Sequence, residues 1–513
     1  MTSHSLSDCF EDTFLKRGEK TAVTFLRKGQ RETEVSCLQL NQDAARLAKT
    51  FRDLGVSKGD RVVFLFDKCL FFIAAHLAVL KIGAVSVPLN PGFKKSEMDY
   101  LLGDVQAALV LCGSGQEPMI REIDPALKTL AIDPQKPYQD LGFFKQSSEI
   151  ISSTDTSQDD PAVIIYTSGT TGKPKGAVLT QQNLLQDAKN ILHIWEITPS
   201  DVLCHALPLF HVHGLCFALH TSLIAGAPVV MLDAFSPETV IPVLLEKKTL
   251  ACTLFMAVPS MYAKMLDAVG GKTLDFEHIR LWTSGSAPLM VKDFERIKRA
   301  FGKEPVEREG MSETGMNFSN PLRGTKKPGS IGLPLPGLQV RIVNPDTHKD
   351  VNPGETGEIW LKGPAVTPGY WQKPEETAKA FVDGWFRTGD LGTMDDEGYY
   401  YLTDRLKHII ISGGENISPK EVESVINRFE GVVESSVIGL RDDQWGEKVA
   451  AAVVTKPKAR VKPEDIHQFC KQHLHNWKCP KEIRLVQTLP RNTMGKVLKE
   501  ELKKLFAEPS PSS

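Results

Sequence analysis

The chain has 513 residues, 41% of them hydrophobic and 24% charged, with 61 basic against 63 acidic side chains, the makeup of a globular protein of more than one domain. The near-zero net charge and the lack of a basic tract with interleaved aromatics exclude a nucleic-acid-binding role, so a nucleotide here is a small ligand. The polar, acidic start MTSHSLSDCFEDTF does not read as a secretion signal, no apolar run has the length of a membrane span, and nine cysteines without a CxxC pair fit a reducing, cytoplasmic setting.

From about residue 35 to 150, helix-like text (LNQDAARLAKTFRDLG) alternates with β-branched runs (RVVFLF, AVSVPL, AALVLC), which indicates layered α/β structure on a largely parallel sheet. The apolar stretch FFIAAHLAVLKIGAVSV carries His76 and Lys81 and reads as buried protein, not a span. The same grammar continues through AVIIYTS, APVVML and IRLWTSG. Between 324 and 403 the text becomes strand-rich and glycine-punctuated (QVRIV, GEIWLKG, GYYYLTD), as in a smaller β subdomain closing the first body. From 404 onward come a short strand pair, the amphipathic helix SPKEVESVINRF, the strands SSVIGL and KVAAAVVT, another helix and a basic tail. The expected fold is therefore α/β: a large N-terminal domain of layered α/β subdomains plus a β-rich subdomain over 1–403, and a small α+β domain over 404–513. The terminal AEPSPSS has no core-forming residues.

The sharpest local signal is Tyr166-Thr-Ser-Gly-Thr-Thr-Gly-Lys-Pro-Lys-Gly176, directly after the strand text AVIIY. Small hydroxyl and glycine residues let backbone N–H groups wrap phosphate oxygens, and Lys173 and Lys175 add positive charge at the mouth. The GxxxxGK[ST] spacing of a Walker loop is absent.

This segment resembles the signature of the adenylate-forming superfamily, which contains acyl-CoA synthetases, peptide-synthetase adenylation domains and beetle luciferases. Leu207-Pro-Leu-Phe-His-Val-His-Gly214, Thr283-Ser-Gly-Ser-Ala-Pro288, Gly310-Met-Ser-Glu-Thr314, Trp385-Phe-Arg-Thr-Gly-Asp390, Asp404-Arg-Leu-Lys407 and Pro490-Arg-Asn-Thr-Met-Gly-Lys496 follow in that family's order. The resemblance implies a ligase that joins a carboxylic acid to ATP as an acyl-adenylate, releases pyrophosphate, and passes the acyl group to coenzyme A. Its cofactors would be ATP, Mg²⁺ and coenzyme A, and its partners small molecules only, with the oligomeric state open, a homodimer included.

Carried over residue by residue, Thr167, Ser168, Gly169, Thr170, Thr171 and Lys175 would hold the ATP phosphates. Gly285, Ser286 and Ala287 would wall the adenine, with Glu309, Gly310, Met311 and Ser312 beside it. Asp390 offers two acceptor oxygens to the ribose hydroxyls, and Arg405 joins the nucleotide site. Glu313 suits Mg²⁺, which takes few protein carboxylates and fills its shell with phosphate oxygens and water. Lys496 would bridge the carboxylate and the α-phosphate, two anions that repel without a cation between them. One departure stands out: Glu309 occupies the place where similar enzymes carry an aromatic, and an acid cannot stack on adenine.

His211 and His213 flank Val212 in an apolar segment without a third ligand at metal spacing, so they do not read as a metal pair; the resemblance implies that they line the acyl site, with His211 catalytic beside the reacting carboxylate. The runs Leu215-Cys-Phe-Ala-Leu219 and Phe255-Met-Ala-Val258 add apolar wall. The wording FHVHGL, IRLWTSGSAPL and GMSETGMNFSNPL is closest to the malonyl-CoA synthetase branch. A diacid needs a fixed cation for its far carboxylate, and Arg280 is the expected one. The acid stays open between a malonate-type diacid and a short-to-medium-chain fatty acid, and a stand-alone adenylation enzyme loading a carrier-protein pantetheine is the alternative. Gly413, Gly414 and Glu415 would line the thiol path, and Asp404 would be the hinge of the mobile domain.

Overall fold

A computed structural model describes residues 5–142, 153–167, 173–412, 415–443, 445–457, 459–492 and 496–507. The α/β class expected from the sequence is the class observed. The chain divides into two compact units, residues 1–339 with 361–386, and residues 340–360 with 387–513.

The first unit contains two large sheets. In the six-stranded one the spatial order is Thr129–Ile132, Leu109–Gly113, Arg61–Leu65, Val85–Pro88, Pro161–Thr167 and Lys175–Thr180, parallel except for the last pair. Its central strands are buried almost residue by residue, as their unbroken β-branched runs require when both faces of a sheet are covered. Val63, Val85, Val110 and Ile164 pack against Met98, Leu101 and Val105 of the helix Lys95–Val105.

The nine-stranded sheet has a parallel centre that includes Leu203–His205, Leu254–Ala257, Leu281–Ser284 and Val306–Met311, with antiparallel strands at both edges. One edge is a hairpin that the expected alternation did not include: Thr21–Arg27 turns at Lys28 (φ 49°) and Gly29 (φ 78°) into Gln30–Ser36. It joins the sheet by pairing in parallel with Val229–Leu232, a partner two hundred residues away that no local pattern announces.

The helix Leu70–Lys81 is buried along its whole length. Its polar side chains are partnered inside: His76 Nδ1 lies 2.9 Å from Ser86 Oγ, His76 Nε2 lies 2.8 Å from His220 Nε2, and Lys81 pairs with Glu11 at 2.8 Å. No helix among the described residues is long and apolar enough to cross a membrane.

The glycine-punctuated text forms the strands Gln339–Val343, Gly357–Lys362, Trp385–Met394 and Tyr400–Arg405 of a small sheet, most of whose residues belong to the second unit. The C-terminal sheet pairs Val432–Asp442 antiparallel with Gly446–Thr455, and Glu482–Val486 joins in parallel. Period-two alternation sends Val449, Ala451 and Val453 to one face, against Val422, Val425 and Ile466 of two helices. Ala450 and Ala452 go to the other, against Leu502 and Phe506 of the helix Lys499–Ala507. Asp404 lies within this unit, one residue before the end of the strand Tyr400–Arg405.

Candidate active site

In a parallel sheet the carboxyl ends of the strands are where ligands gather. The strand Pro161–Thr167 delivers the phosphate-loop text there, and Lys175–Thr180 returns antiparallel, with Thr167 opposite Lys175. Ser168, Gly169, Thr170 and Thr171 lie outside the described residues. The flanks of the loop are firmly held. Tyr166 donates to Asp104 Oδ2 at 2.8 Å, Tyr100 donates to the Pro174 carbonyl at 3.0 Å, and the Lys173 ammonium sits 5.1 Å from the Tyr100 ring centre.

Lys175 is ion-paired with Glu376 and lies 5.2 Å from the ring centre of Tyr370. The hydroxyl of that tyrosine donates to Glu313 Oε1 at 3.2 Å, and Thr167 Oγ1 donates to the same oxygen at 3.3 Å. Glu313 itself is buried in the turn between Val306–Met311 and Gly315–Ser319. Gly315 (φ +71°) closes that turn, where a Cβ would lie 2.8 Å from Asp187 Oδ1. One carboxylate with hydroxyl neighbours is a donor set that Mg²⁺ accepts when phosphates and water complete its shell. Tyr370 and Glu376, which the sequence reading missed, sit in the GYW and PEET text just past the first unit's last glycine-rich segment.

A second group of candidates meets at the ends of Leu281–Ser284 and Val306–Met311. Ser286 adopts φ 67°, a left-handed conformation uncommon for serine, and its Oγ lies 3.2 Å from His213 Nδ1. Gly285 has no room for a side chain, because a Cβ would come within 2.6 Å of the Arg308 guanidinium. A Cβ on Gly310 would likewise meet the Gly315 carbonyl at 2.6 Å and the Phe217 ring at 3.2 Å. Ala287, Met311 and Ser312 are half-buried on the same two segments. Glu309 lies opposite Phe318 in the hairpin and accepts a hydrogen bond from Asn317 Nδ2 at 3.0 Å, so the acid in the aromatic's place is tied to the neighbouring strand.

His213 opens a π-helix, His213–His220, a wide turn often found at functional sites. Gly214 permits the tight entry: a Cβ there would be 2.0 Å from the Pro208 carbonyl oxygen. Its own carbonyl accepts from His205 Nε2 at 2.9 Å, which leaves His205 Nδ1 to accept from Lys68 Nζ at 2.9 Å. Burial pulls His211 down to about 4, so the ring is neutral at pH 7 and brings no positive charge to a carboxylate. His213 is pushed well below the usual histidine range by burial and then by Arg308, His205 and His211, and its Nε2 has no partner among the described residues.

Arg308 is the residue the sequence reading passed over. It is 3% exposed, stands 5.1 Å from the Phe217 ring centre, and none of its three guanidinium nitrogens has a hydrogen-bond partner among the described residues. Burial lowers it to about 10, with Glu309 and Asp187 pulling the other way. The expected diacid role of Arg280 requires correction. Its guanidinium donates to Asp201 Oδ1 (2.6 Å) and Oδ2 (2.8 Å) and to the carbonyls of Trp195 (2.9 Å) and Glu196 (3.0 Å), a structural clamp. It sits at the amino end of its strand, away from the carboxyl end that carries Gly285.

The remaining candidates belong to the second unit. Asp390 is buried and pairs with Arg405 Nε at 2.6 Å across two antiparallel strands. Asp404 accepts from the Arg405 N–H (2.7 Å), Ser418 Oγ (2.7 Å) and the Lys420 N–H (3.0 Å), and so caps the helix Pro419–Ile426. Glu415 is exposed at the start of Glu415–Ile417, while Gly413 and Gly414 lie outside the described residues. Lys496 keeps part of its side chain in solvent, yet desolvation around its ammonium and then the charge of Arg405 pull it down to about 8. Asp390 opposes that fall and Lys407 and Lys420 add to it, which places Lys496 in the electrostatic neighbourhood of Asp390.

Residues 10–371 match the AMP-binding enzyme family and residues 421–496 match the AMP-binding enzyme C-terminal domain. The mitochondrial malonate–CoA ligase of Mus musculus is 35% identical over 92% of this chain and 86% of its own length. A long-chain-fatty-acid–CoA ligase of Bacillus subtilis is 32% identical over 98% and 94%. The structure of ATP-bound MatB from Rhodopseudomonas palustris matches with a TM-score of 0.91 at 36% identity, over 98% of this chain and 99% of that one. The chain belongs to the AMP-binding enzyme family and is an AMP-forming acid–thiol ligase, with ATP and coenzyme A as its cosubstrates.

Proposed function

We propose that this ligase activates a short diacid of the malonate type and that Arg308 holds the carboxylate that does not react. The observation that carries the reading is the unpaired guanidinium. Glu309 and Asp187 offset part of its charge, but a buried cation with no hydrogen-bonded partner is still costly, and the cost is recovered when a substrate anion supplies one. Arg308 lies beside Gly285, Phe217 and His213, among the segments read as the acyl and adenine walls, and its planar fork suits bidentate capture of a carboxylate. A monocarboxylic acid would leave that charge stranded. The malonate–CoA ligase relative supports this choice, while the fatty-acid ligase relative shows that overall similarity leaves the acid open.

The other roles follow from charge. Joining a carboxylate to the ATP α-phosphate brings two anions together, and Lys496 supplies a mobile cation that is needed at that step alone. Thr167, Lys175 and the residues between them hold the phosphates, with Lys175 exchanging Glu376 for phosphate oxygen. Glu313 would hold Mg²⁺, which when bound screens the phosphate charge. Neutral His211 and the apolar run Leu215–Leu219 keep water from the adenylate. Asp390 takes the ribose hydroxyls. Residues 404–513 form the lid, with Asp404 as its hinge and Gly413, Gly414 and Glu415 along the thiol path. The nine free thiols suit a cytoplasmic setting.

The test is acid-dependent pyrophosphate release with oxalate, malonate, succinate, butyrate and octanoate, followed by the consumption of free coenzyme A. Malonate should give the highest kcat/KM. An enzyme that favours octanoate, or one that releases pyrophosphate and leaves coenzyme A untouched, would overturn the proposal.

A further inference from the structure

The amino end of the strand Leu281–Ser284 borders a cavity of about 360 Å³, within the size range of small-ligand sites. Arg280, Trp282, Lys298, Lys303, Glu304 and Lys326 are among the residues that line it. It lies at the opposite end of the strand from Gly285, Ser286 and Ala287.

Two of its four cations are neutralised. Arg280 is clamped by Asp201, and Lys298 pairs with Glu304 at 2.9 Å. The other two are not. Lys303 donates only to the carbonyls of Glu277 (2.8 Å) and Ile279 (2.9 Å), and Lys326 donates only to the carbonyl of Leu322 (3.1 Å). Backbone carbonyls aim an ammonium without cancelling its charge, so the cavity keeps surplus positive charge from two lysines with no carboxylate partner among the described residues.

We propose that this cavity binds a compact phosphate-bearing anion at a site separate from the nucleotide site. Two ammonium groups held by carbonyls, with no carboxylate partner among the described residues, are point charges that suit a multiply charged phosphate, whereas the guanidinium that would select a carboxylate by its fork is already engaged. A ligand held here would brace the amino end of the strand whose carboxyl end carries the adenine-wall segment.

The probes are inorganic phosphate and pyrophosphate, titrated calorimetrically at constant ionic strength into the full-length enzyme. The nucleotide site, phosphate loop included, is first filled with the non-hydrolysable ATP analogue α,β-methylene-ATP, whose own binding is measured separately. A failure of that analogue to bind would count against the ligase reading and not against this cavity. The filled wild type should bind one anion. Lys303→Gln combined with Lys326→Gln should weaken it by about tenfold or more, and Glu304→Gln should tighten it severalfold by removing the opposing charge. Lys272→Gln, an exposed lysine elsewhere in the unit, should leave it unchanged. Absence of binding to the filled wild type would overturn the proposal, as would equal affinity in the double variant. If the double variant does not fold, an unchanged affinity in Glu304→Gln overturns it alone. Binding of pyrophosphate without phosphate would define the ligand as a diphosphate group.

Discussion

Replacing Arg308 by Met separates the cost of a buried charge from its use. The guanidinium is 3% exposed and unpaired, and burial lowers it to about 10. At about 1.4 kcal/mol for each pH unit, that fall is a penalty of about 3 kcal/mol on the charged form in the folded chain. The sign is that of a base whose folded pKa is depressed: the penalty is fully present below about 10 and is relieved only above it, so it applies in full at pH 7. Methionine keeps much of the aliphatic stem and removes the charge. The ligand-free enzyme should therefore become more stable, with Tm rising by about 1–4 °C for a chain of this size. With malonate the effect reverses. A far carboxylate left in a dry pocket without its cation should cost about 3–5 kcal/mol, a loss of about a hundredfold to several thousandfold in kcat/KM. Butyrate, which has no far carboxylate, should be affected little or used better. Calorimetry of the free enzyme and pyrophosphate release with both acids read the two arms. Equal losses for malonate and butyrate, or a falling Tm with malonate activity intact, would refute the reasoning.

Arg280→Met should behave oppositely, losing about 2–4 kcal/mol of stability because the buried Asp201 carboxylate loses its bidentate partner, with malonate and butyrate kcat/KM reduced in equal proportion; urea unfolding and the same acid pair check it. Lys496→Ala should abolish acid-dependent ATP–pyrophosphate exchange while thioester formation from presynthesised acyl-adenylate survives, and parallel loss of both half-reactions would remove Lys496 from the adenylation step. Because the Lys496 ammonium titrates at about 8 and the protonated form carries the charge, wild-type exchange should fall as pH rises through about 8, and Lys496→Arg should move that limb upward. Asp404→Pro fixes φ and removes the cap that receives Ser418 and Lys420, so thioester formation should drop by orders of magnitude with exchange near normal; an unchanged acyl-CoA rate would rule out a hinge there.

What the sequence by itself determined is what local chemistry can carry. The run Tyr166–Gly176 reads as a phosphate loop after a buried strand, of which the strand Pro161–Thr167 is observed, and the alternation of β-branched and helical text announced an α/β layering that the two large sheets bear out. The KVAAAVVT strand is legible for the same reason, since period two assigns each side chain to a face before any partner is known. The role of a cation is not local in this sense. Arg280 directly precedes one strand of the nine-stranded sheet and Arg308 lies within another, and nothing beside either residue in the sequence tells their roles apart. Folding decides it by bringing Asp201 and the Trp195 and Glu196 carbonyls to Arg280 while placing Arg308 against Phe217 and Gly285 with no hydrogen-bond partner among the described residues. Burial then sets the charge states. Desolvation makes His211 neutral and Arg308 costly, and it depends on the three-dimensional removal of water, which residue spacing does not encode.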